Sequence, residues 1–348
     1  MKMDLIRIIL SLATWHKLKM VHLDVKTAFL YGELEEELYL KQPEGFDDNT
    51  DRVCKLKKGL YGLKQASRTW NKKLNKFLVD LGLKRVTSDQ CVYFMKTDTI
   101  MVILGIYVDD GLLCSNCEST MNEILEYIEE HFEITVEEAN CFVGLQIERD
   151  TVNNTMKIHQ KHYVEKLLKK FEMQDCKERT TPMDVNTKLI KSTNKMTGKE
   201  NYPFKEAVGS LIYLMIGSRP DIAYSVGKLS QFMDSYDHSH WTALKHLFRY
   251  LKGTLDLGIT YHGNGTNRLE GYCDSDYAGD QKSRKSTSGY IFTLNGGAVS
   301  WSSKLQRIIA LSTTEAEYIS LAKATKQSMW LRQLLFDLDQ NQDNSNKL

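Results

Sequence analysis

The feature that most limits the fold is a run of nine apolar residues, 100–108, followed directly by Asp109 and Asp110. The run is too short to span a bilayer and fits a buried strand. Residues 111–115 predict the next strand, so the two aspartates lie at a hairpin turn. Two carboxylates about 4 Å apart repel each other by roughly 4 kcal/mol at an effective dielectric near 20. Exposure to water at the turn would relieve this repulsion, and so would a divalent cation such as Mg²⁺, which prefers oxygen ligands.

A metal site at this turn would need a further acid from another strand. Residues 20–25 predict a short strand that carries Asp24 near its end. Mg²⁺ held by such acids can align a nucleophile and a leaving oxygen for phosphoryl or nucleotidyl transfer. Sequence spacing does not establish that Asp24 meets Asp109 and Asp110, so a solvated turn and a metal site are both open at this point.

The distribution of charge is uneven, although the formal net charge is only +1. Residues 52–85 contain eleven Lys and Arg and a single acid, whereas residues 118–138 contain eight Glu and no Lys or Arg. A helix is predicted from about Ser67, with Gly82 suited to its end. A basic row recurs every four residues, at Lys64, Arg68, Lys72 and Lys76. This row is either a solvated helix face or a surface that follows nucleic-acid phosphates.

The composition excludes several classes of protein. Hydrophobic residues make up 42% and charged residues 26%, which is typical of a globular chain. The seven cysteines are odd in number and scattered, which favours a reduced, intracellular chain over a disulfide scaffold. No N-terminal stretch has the order of a signal peptide. We therefore expect a protein that is not secreted, membrane-spanning, fibrous or disordered.

Hydrophobic periodicity predicts the remaining elements. The predicted helices cover residues 3–19, 118–132, 163–171, 204–216, 220–233, 239–251 and 313–338. The predicted strands cover residues 20–25, 53–57, 92–94, 99–108, 111–115, 142–148, 156–159, 269–276, 289–294 and 298–302. Turns are expected at Asn153-Asn154 and at Gly296-Gly297. Residues 177–200 are polar and suit a linker.

Four segments, in their order and separation, resemble the reverse transcriptase of a copia-type LTR retrotransposon Pol polyprotein. They are HLDVKTAFLYGEL at 22–34, YLKQPEGF at 39–46, GLYGLKQASRTW at 59–70 and YVDD at 107–110. The resemblance continues through GSLIYL at 209–214, RPDIAY at 219–224, YLKG at 250–253, STSGY at 286–290 and STTEAEY at 312–318. It therefore covers nearly the whole chain.

The resemblance implies a polymerase site. Asp24, Asp109 and Asp110 would be the catalytic acids and would hold two Mg²⁺ ions, with Mn²⁺ as an alternative. Phe29 would be a steric gate against the ribose 2′-hydroxyl, although its ring also suits a plain core position. The other implied nucleotide-binding residues are Val25, Lys26, Thr27, Ala28 and Gln65. The implied nucleic-acid-binding residues are Lys64, Arg68, Lys72, Lys76, Phe142 and Gly144, the last two in a segment similar to a primer grip.

A second site is implied near the C-terminus, where the sequence resembles an RNase H domain. Asp274 and Asp276 lie two apart on one predicted strand and so share a face. The family implies Asp274 and Glu315 as metal-binding catalytic acids, and Asp274 fits the pattern better than Asp276. A second explanation of Glu315 is structural, because residues 312–315 form a capping box that starts a helix.

The resemblance also implies an overall organisation. The expected fold is α+β, with a polymerase palm built on an antiparallel sheet, partial fingers, a helical thumb and connection, and a truncated RNase H-like α/β unit. The expected boundaries are 1–155 for the palm with fingers at about 30–66, 156–265 for the thumb and connection, 266–340 for the RNase H-like unit, and 341–348 for a disordered tail. The segment before the palm and the later RNase H acids are expected to be missing.

The implied activity is RNA-directed DNA polymerisation, with an RNA template, a DNA primer, an RNA–DNA hybrid and dNTPs as partners and no membrane. The implied location is the cytoplasm, in a retrotransposon particle, with the nucleus as a second compartment. The alternative is a non-catalytic nucleic-acid-binding remnant of a decayed or truncated element. The oligomeric state is open.

Overall fold

The structure is a computed structural model that describes residues 1–184, 187, 189–190 and 202–342. Residues 343–348 of the predicted tail lie outside the described residues. The same holds for residues 185, 186, 188 and 191–200 of the predicted linker. The described residues form two compact units, residues 18–139 and residues 2–17 with the chain from 140 onward. We call them the N-terminal and the C-terminal unit.

Helices and strands are numbered in chain order. The helices are α1 Met3–Trp15, α2 Ala66–Asp80, α3 Glu118–Glu129, α4 Lys161–Lys170, α5 Phe204–Gly217, α6 Ala223–Ser230, α7 His238–Gly253 and α8 Thr313–Asp337. The strands are β1 Lys19–Val25, β2 Tyr39–Lys41, β3 Val53–Lys55, β4 Lys84–Arg85, β5 Val92–Lys96, β6 Met101–Tyr107, β7 Asp110–Ser115, β8 Ile134–Glu138, β9 Cys141–Phe142, β10 Leu145–Asp150, β11 Thr155–His159, β12 Ile259–His262, β13 Glu270–Ser275, β14 Thr287–Leu294 and β15 Gly297–Leu305. Short 3-10 turns cover Ala28–Tyr31 and Pro220–Ile222.

The N-terminal unit is built on a six-stranded antiparallel sheet in the order β4-β5-β6-β7-β1-β8. The apolar stripe of α2 packs against the sheet through Trp70, Leu74 and Leu78. Helix α3 packs into the same core through its apolar face. Its glutamates lie on the exposed side of the helix. The predicted hairpin is confirmed, since β6 ends at Tyr107 and β7 begins at Asp110.

The C-terminal unit contains two further antiparallel sheets. One has the order β12-β11-β10-β9 and the other the order β13-β14-β15. Helices α4 to α7 share a separate hydrophobic core, centred on residues such as Leu211, Leu247 and Phe248. Helix α8 lies against the three-stranded sheet, where the Ser320 hydroxyl donates to the carbonyl oxygens of Asp274 and Gly289. The mixture of helices and antiparallel sheets agrees with the predicted α+β class.

Several predicted elements differ from the structure. The helix predicted over 3–19 ends at Trp15, because Lys17 has a positive φ of 54° and β1 follows. The strand predicted over 142–148 is interrupted by a turn, with φ of 48° at Val143 and 77° at Gly144. The turn predicted at Gly296-Gly297 is wrong by one residue. It is formed by Asn295 and Gly296, whose positive φ values are typical of a tight Asn-Gly hairpin.

The sequence boundary between the two compact units lies at 139/140, and α1 packs on β15 within the C-terminal unit. The predicted domain boundaries at 155/156, 265/266 and 340/341 stay predictions. The region predicted as helical thumb and connection, 156–265, contains β11 and β12 in addition to its helices. Within the described residues, no helix combines the length and the apolar character that a membrane span requires.

Arg7 joins α1 to the rest of the C-terminal unit. Its side chain is almost fully buried, and its guanidinium donates to the carbonyl oxygens of Val299 at 2.8 Å and Gly217 at 2.9 Å. It also forms an ion pair with Asp4 and stacks over the Trp301 ring at 3.8 Å. A buried charge with this many partners becomes costly when any of them is lost.

We expect Arg7→Met to lower the free energy of unfolding by roughly 2–4 kcal/mol, since several buried carbonyl oxygens and the partly buried Asp4 carboxylate lose their donor. Urea denaturation followed by circular dichroism measures the change. Arg52→Met is the matched control, because Arg52 is 80% exposed in its pair with Asp48 and should contribute at most about 1 kcal/mol. Equal effects of the two substitutions would contradict the role assigned to Arg7.

Candidate active site

The pairing of β1 with β7 brings the three predicted polymerase acids to one end of the N-terminal sheet. Asp24 is directly opposite Asp110 in the antiparallel register. Residues in such positions point to the same face, with Cα atoms about 4.5–5.5 Å apart. The carbonyl of Asp109 accepts a hydrogen bond from the Val25 amide at 2.9 Å, which fixes the turn beside the end of β1. The sequence suggested this convergence, and the strand register supplies it.

The turn that carries the acids is strained and held from several sides. Val108 has a φ of 63°, a left-handed conformation that a β-branched residue rarely adopts. The indole of Trp70 donates to the Val108 carbonyl at 2.7 Å, which holds this conformation from α2. A Cβ at Gly111 would lie 2.8 Å from the Leu23 side chain, so glycine is required for β1 to approach. These contacts fix the turn that carries Asp109 and Asp110 beside the end of β1.

The local electrostatics reflect this crowding of negative charge. Burial, followed by the charges of Asp110 and Asp109, raises the pKa of Asp24. His22 lies two residues before Asp24, on the same face of β1, and its Nε2 is 2.8 Å from the Asp110 carboxylate. The hydroxyl of Tyr61 donates to the Asp109 carboxylate at 3.4 Å. Burial and then the Asp109 charge raise the pKa of Tyr61.

The donor set consists of carboxylate oxygens, which are the ligands that Mg²⁺ prefers. Within the part of the chain that the structure describes, no three His, Cys, Asp or Glu side chains form a group arranged to hold a metal ion. Mg²⁺ is usually held by one or two carboxylates together with substrate phosphates and water, rather than by a complete protein cage. Asp24 and Asp110, side by side, fit that kind of site.

The segment after β1 forms one wall beside the acids. Phe29 lies in the 3-10 turn and is nearly buried, with its ring centroid 4.5 Å from that of Tyr61. Val25 and Ala28 are buried in the core, so only their backbone is available to a ligand. The Lys26 ammonium is 2.8 Å from the Glu133 carboxylate. Thr27 has a φ of 52° and leads into the turn.

The basic row on α2 is exposed but is not one uninterrupted helix face. Helix α2 begins at Ala66, with Gln65 at its N-cap position, so Lys64 precedes the helix. The side chains of Lys64, Arg68, Lys72 and Lys76 are all exposed. Lys72 pairs with Glu35 at 2.5 Å across the surface. A surface pair of this kind contributes little to stability and exchanges readily for another anion.

The predicted primer-grip residues lie in the C-terminal unit, at the turn between β9 and β10. The Phe142 ring is fully buried, so its side chain is a core residue and differs from the predicted binding role. Gly144 has a φ of 77°, and a Cβ there would lie 2.0 Å from the Tyr213 hydroxyl. That hydroxyl donates to the Val143 carbonyl at 3.0 Å. Of the predicted residues Phe142 and Gly144, only the backbone could contact a ligand.

The residues of the second predicted site are less closely associated. Asp274 pairs with Gly289 and alternates with Cys273, which places its side chain on the face of β13 that carries Tyr272. The Glu315 carboxylate accepts from the Leu311 amide at 2.6 Å, and the Ser312 hydroxyl accepts from the Glu315 amide at 3.1 Å. Ser312 therefore caps α8, but the reciprocal bond of the predicted capping box is not formed, because the Glu315 carboxylate accepts from the amide of Leu311 rather than from that of Ser312. Among the described residues, no hydrogen bond or ion pair joins Asp274 to Glu315.

Sequence reasoning did not assign three residues that contact the acids or their turn, namely His22, Tyr61 and Trp70. The two-residue spacing of His22 from Asp24 on a predicted strand was a usable signal. Tyr61 and Trp70 are distant from the acids in sequence, and their contacts depend on how α2 and its preceding loop pack on the sheet.

Comparison with known proteins identifies the family. Residues 1–185 match the family described as "Reverse transcriptase (RNA-dependent DNA polymerase)". The chain is 41% identical over 350 residues to the "Retrovirus-related Pol polyprotein from transposon TNT 1-94" of Nicotiana tabacum, covering 98% of this chain and 26% of that protein. It is 38% identical over 337 residues to the "Retrovirus-related Pol polyprotein from transposon RE1" of Arabidopsis thaliana, covering 96% of this chain and 23% of that protein.

A transposon Ty5-1 protein of Saccharomyces cerevisiae is 31% identical over 309 residues, which cover 88% of this chain and 100% of that protein. The chain spans about a quarter of the length of the two plant polyproteins that it matches. It therefore belongs to the reverse transcriptase family, as the reverse transcriptase region of a copia-type retrotransposon Pol polyprotein.

Proposed function

We propose that this chain catalyses template-directed addition of deoxynucleotides to a primer 3′-hydroxyl, with release of pyrophosphate. The observation that carries the proposal is the β1–β7 register, which sets Asp24 opposite Asp110 with Asp109 at the adjoining turn. The three carboxylates are held close together although burial and mutual repulsion oppose their ionisation. Both effects raise the pKa of Asp24. Such an arrangement is typical of a site built to receive cations.

Asp24 and Asp110, with Asp109, would hold two Mg²⁺ ions. Bound there, the ions would favour ionisation of the primer hydroxyl and offset the charge of the triphosphate. The residues of the chain supply positioning: His22 orients the Asp110 carboxylate and Tyr61 the Asp109 carboxylate. The backbone of residues 25–28 forms the floor of the nucleotide site, and Phe29 limits the space beside the sugar. Gln65, at the start of α2, faces the nucleotide and template path.

The template and primer are held mainly through their phosphates. The exposed Lys64, Arg68 and Lys76 form a surface suited to a backbone without sequence preference. In this proposal residues 18–139 form the palm with partial fingers, and the turn at residues 143–144 contacts the primer through its backbone. Helices α4 to α7 form the thumb and connection. The segment with Asp274 and Glu315 is an RNase H-like remnant.

A second candidate is a nucleic-acid-binding protein without polymerase activity. The observation behind it is the exposed basic row at Lys64, Arg68 and Lys76, which suits phosphate binding whether or not the acids act on a primer. The two candidates share the basic surface of α2 and differ only in whether the acids act on a bound primer.

Primer extension on poly(rA)/oligo(dT) with Mg²⁺ separates the two candidates. We expect incorporation of dTTP by the natural chain and a loss of at least about 10³-fold in Asp110→Asn, because the acids act as a unit. Glu126→Gln, a change of an exposed acid on α3 in the same unit, is the matched control and should retain activity. Hybrid binding without incorporation by the natural chain would favour the second candidate.

A further consequence concerns stability and pH. Because the pKa of Asp24 is raised in the folded state, its stabilising contribution is present at low pH and is lost as the pH rises through that raised pKa. We therefore expect Asp24→Asn to match the natural chain in stability near pH 3 and to become the more stable of the two by pH 7. Thermal unfolding across this range measures the difference.

Asp150→Asn is a control of opposite sign. Hydrogen bonds from Asn153 lower the pKa of Asp150, so this substitution should reduce stability at pH 7 and have little effect at pH 3. Addition of Mg²⁺ at pH 7 should stabilise the natural chain and leave Asp24→Asn unchanged. An Asp24→Asn variant that is less stable at pH 7 would contradict the assigned repulsion.

The position of Phe29 predicts a change in sugar selectivity. Phe29→Val should reduce the preference for dCTP over CTP by at least about tenfold, since the smaller side chain leaves space for a 2′-hydroxyl. The ratio of the two kcat/KM values is the measurement, because it does not depend on the fraction of folded enzyme. Tyr61→Phe keeps the ring that packs on Phe29 and should leave the ratio unchanged. An unchanged ratio in Phe29→Val would contradict the proposed role of Phe29 as a steric gate.

A further inference from the structure

The two-residue turn between β6 and β7 has an unusual residue at its first central position. Tyr107 pairs with Asp110 in the strand register, so Val108 and Asp109 are the central residues of the turn. Both common hairpin turns of this length need a positive φ at the first central position, where glycine, asparagine or aspartate is usual. Val108 has a φ of 63°. A β-branched residue is strained in this conformation, so the turn must be stabilised by contacts from elsewhere in the unit.

Trp70 on α2 supplies such a contact from outside the hairpin. Its indole Nε1 donates to the Val108 carbonyl at 2.7 Å. That carbonyl belongs to the peptide group that joins the two central residues, so the bond fixes the orientation of the strained peptide itself. An indole carries a single N–H donor, and Trp70 is buried, so water has little access to replace this bond.

The Trp70 ring is itself held firmly. It meets the Phe132 ring edge to face, with centroids 5.3 Å apart and planes at 89°, and the Tyr31 centroid is 6.1 Å away. The Tyr31 hydroxyl accepts from the Glu133 amide at 2.9 Å, which ties that ring to the residue before β8. A Cβ at Gly32 would lie 3.1 Å from the Trp70 amide nitrogen, so the segment after β1 approaches α2 closely here. A donor locked by packing in this way can impose its geometry on the turn.

The position of this turn determines where its two acids lie relative to β1. The Asp109 carbonyl accepts from the Val25 amide at 2.9 Å, which joins the turn to the end of β1. Asp24, the residue before Val25, is opposite Asp110 in the strand register. A rotation at Val108 would therefore move both acids of the turn away from Asp24. Mutual repulsion of the carboxylates favours that movement.

We propose that Trp70 is a positioning residue for the acids of the turn. Its indole N–H holds Val108 in the left-handed conformation, and this keeps Asp109 and Asp110 within reach of the ions that Asp24 also binds. The inference rests on the proposed function, because those ions belong to the proposed polymerase site. Trp70 acts through the turn and touches neither the nucleotide nor the primer.

The test compares Trp70→Phe with a matched control in the same core. Trp70→Phe removes the N–H donor and keeps an aromatic ring. Tyr93→Phe is the control, because the buried Tyr93 hydroxyl on β5 donates to the Asn75 side chain on α2 at 3.1 Å. Each substitution removes one hydrogen bond between α2 and the sheet, and only the first removes a bond to the turn. Urea denaturation of both variants separates global opening from local opening of the turn.

Hydrogen exchange of the Val25 amide reports on the turn directly, because this amide donates to the Asp109 carbonyl. The measurement requires neither a metal ion nor activity, and NMR of protein containing isotope-labelled valine provides it. We expect Trp70→Phe to speed local exchange at Val25 by about tenfold, since a hydrogen bond that holds the turn is lost. Tyr93→Phe should leave the local exchange rate unchanged. An unchanged rate in Trp70→Phe would overturn the inference.

Primer extension and Mg²⁺ binding test the consequence for the acids. Trp70→Phe should lower kcat about tenfold and change KM for dTTP by less than about twofold, because the contacts to the nucleotide remain. It should also raise the Mg²⁺ concentration needed for half-maximal rate and weaken the stabilisation by Mg²⁺ in thermal unfolding. Tyr93→Phe should retain all of these values. A lowered kcat with an unchanged Mg²⁺ dependence would indicate a general loss of structure and count against the inference.

A double-mutant cycle isolates the strain at Val108. Glycine adopts a φ of 63° at no steric cost, so in a Val108→Gly background the turn no longer depends on the Trp70 bond. Adding Trp70→Phe in that background should change Val25 exchange and kcat by less than about twofold, compared with about tenfold in the natural background. Equal effects in both backgrounds would mean that Trp70 acts through packing alone and would overturn the inference.

Circular dichroism confirms that each variant folds. If Trp70→Phe does not, replacement of Trp70 by 3-benzothienylalanine keeps the shape of the ring and removes only the N–H, with the same expected changes in exchange and Mg²⁺ dependence. If the natural chain extends no primer, the proposed function fails, and exchange at Val25 in both backgrounds alone supports or overturns the role of Trp70.

Discussion

The repulsion between three aspartates at one end of a sheet is the constraint on which the N-terminal unit depends. Asp24 and Asp110 are opposite each other in the strand register, and the Val108 conformation turns the chain so that Asp109 stays beside them. Neither feature is favourable by itself. Both persist because the Trp70 indole holds the turn and the buried core of α2 and the sheet holds Trp70. The packing of an apolar helix face thus keeps together charges that would otherwise separate.

The parts of this arrangement that are local in sequence could be predicted, and the parts that depend on pairing could not. An apolar run that ends in two acids predicts a strand and a turn, because both follow from neighbouring residues. The β1–β7 register joins segments more than eighty residues apart, and spacing does not specify it. For the same reason β8 and β12 were not predicted, since short strands without a clear alternation are defined mainly by their partners.

The candidate site residues divide in a similar way. The family motifs located Asp24, Asp109, Asp110 and Phe29, whose positions at one end of the sheet follow from one hairpin and one turn. They were less informative for Phe142, since a motif does not indicate whether a ring faces a ligand or the core, and here it is fully buried. Glu315 was open between capping and metal binding; its bond to the Leu311 amide ties it to the start of α8, and its metal-binding role stays a prediction. Burial and hydrogen-bond partners therefore add information that a motif does not carry.

The near-neutral charge of the chain conceals an uneven distribution that suits the proposed phosphodiester substrate. Acids are concentrated where cations would be needed, and exposed cations are concentrated at the start and along one side of α2. A polyanionic strand bound at the basic surface would make the complex more negative than the protein alone. In the proposed function a single ligand contacts both the acids and the basic surface. A nucleic-acid strand is such a ligand, since its phosphates can be held by lysines and arginines while its 3′-hydroxyl is presented to the carboxylates.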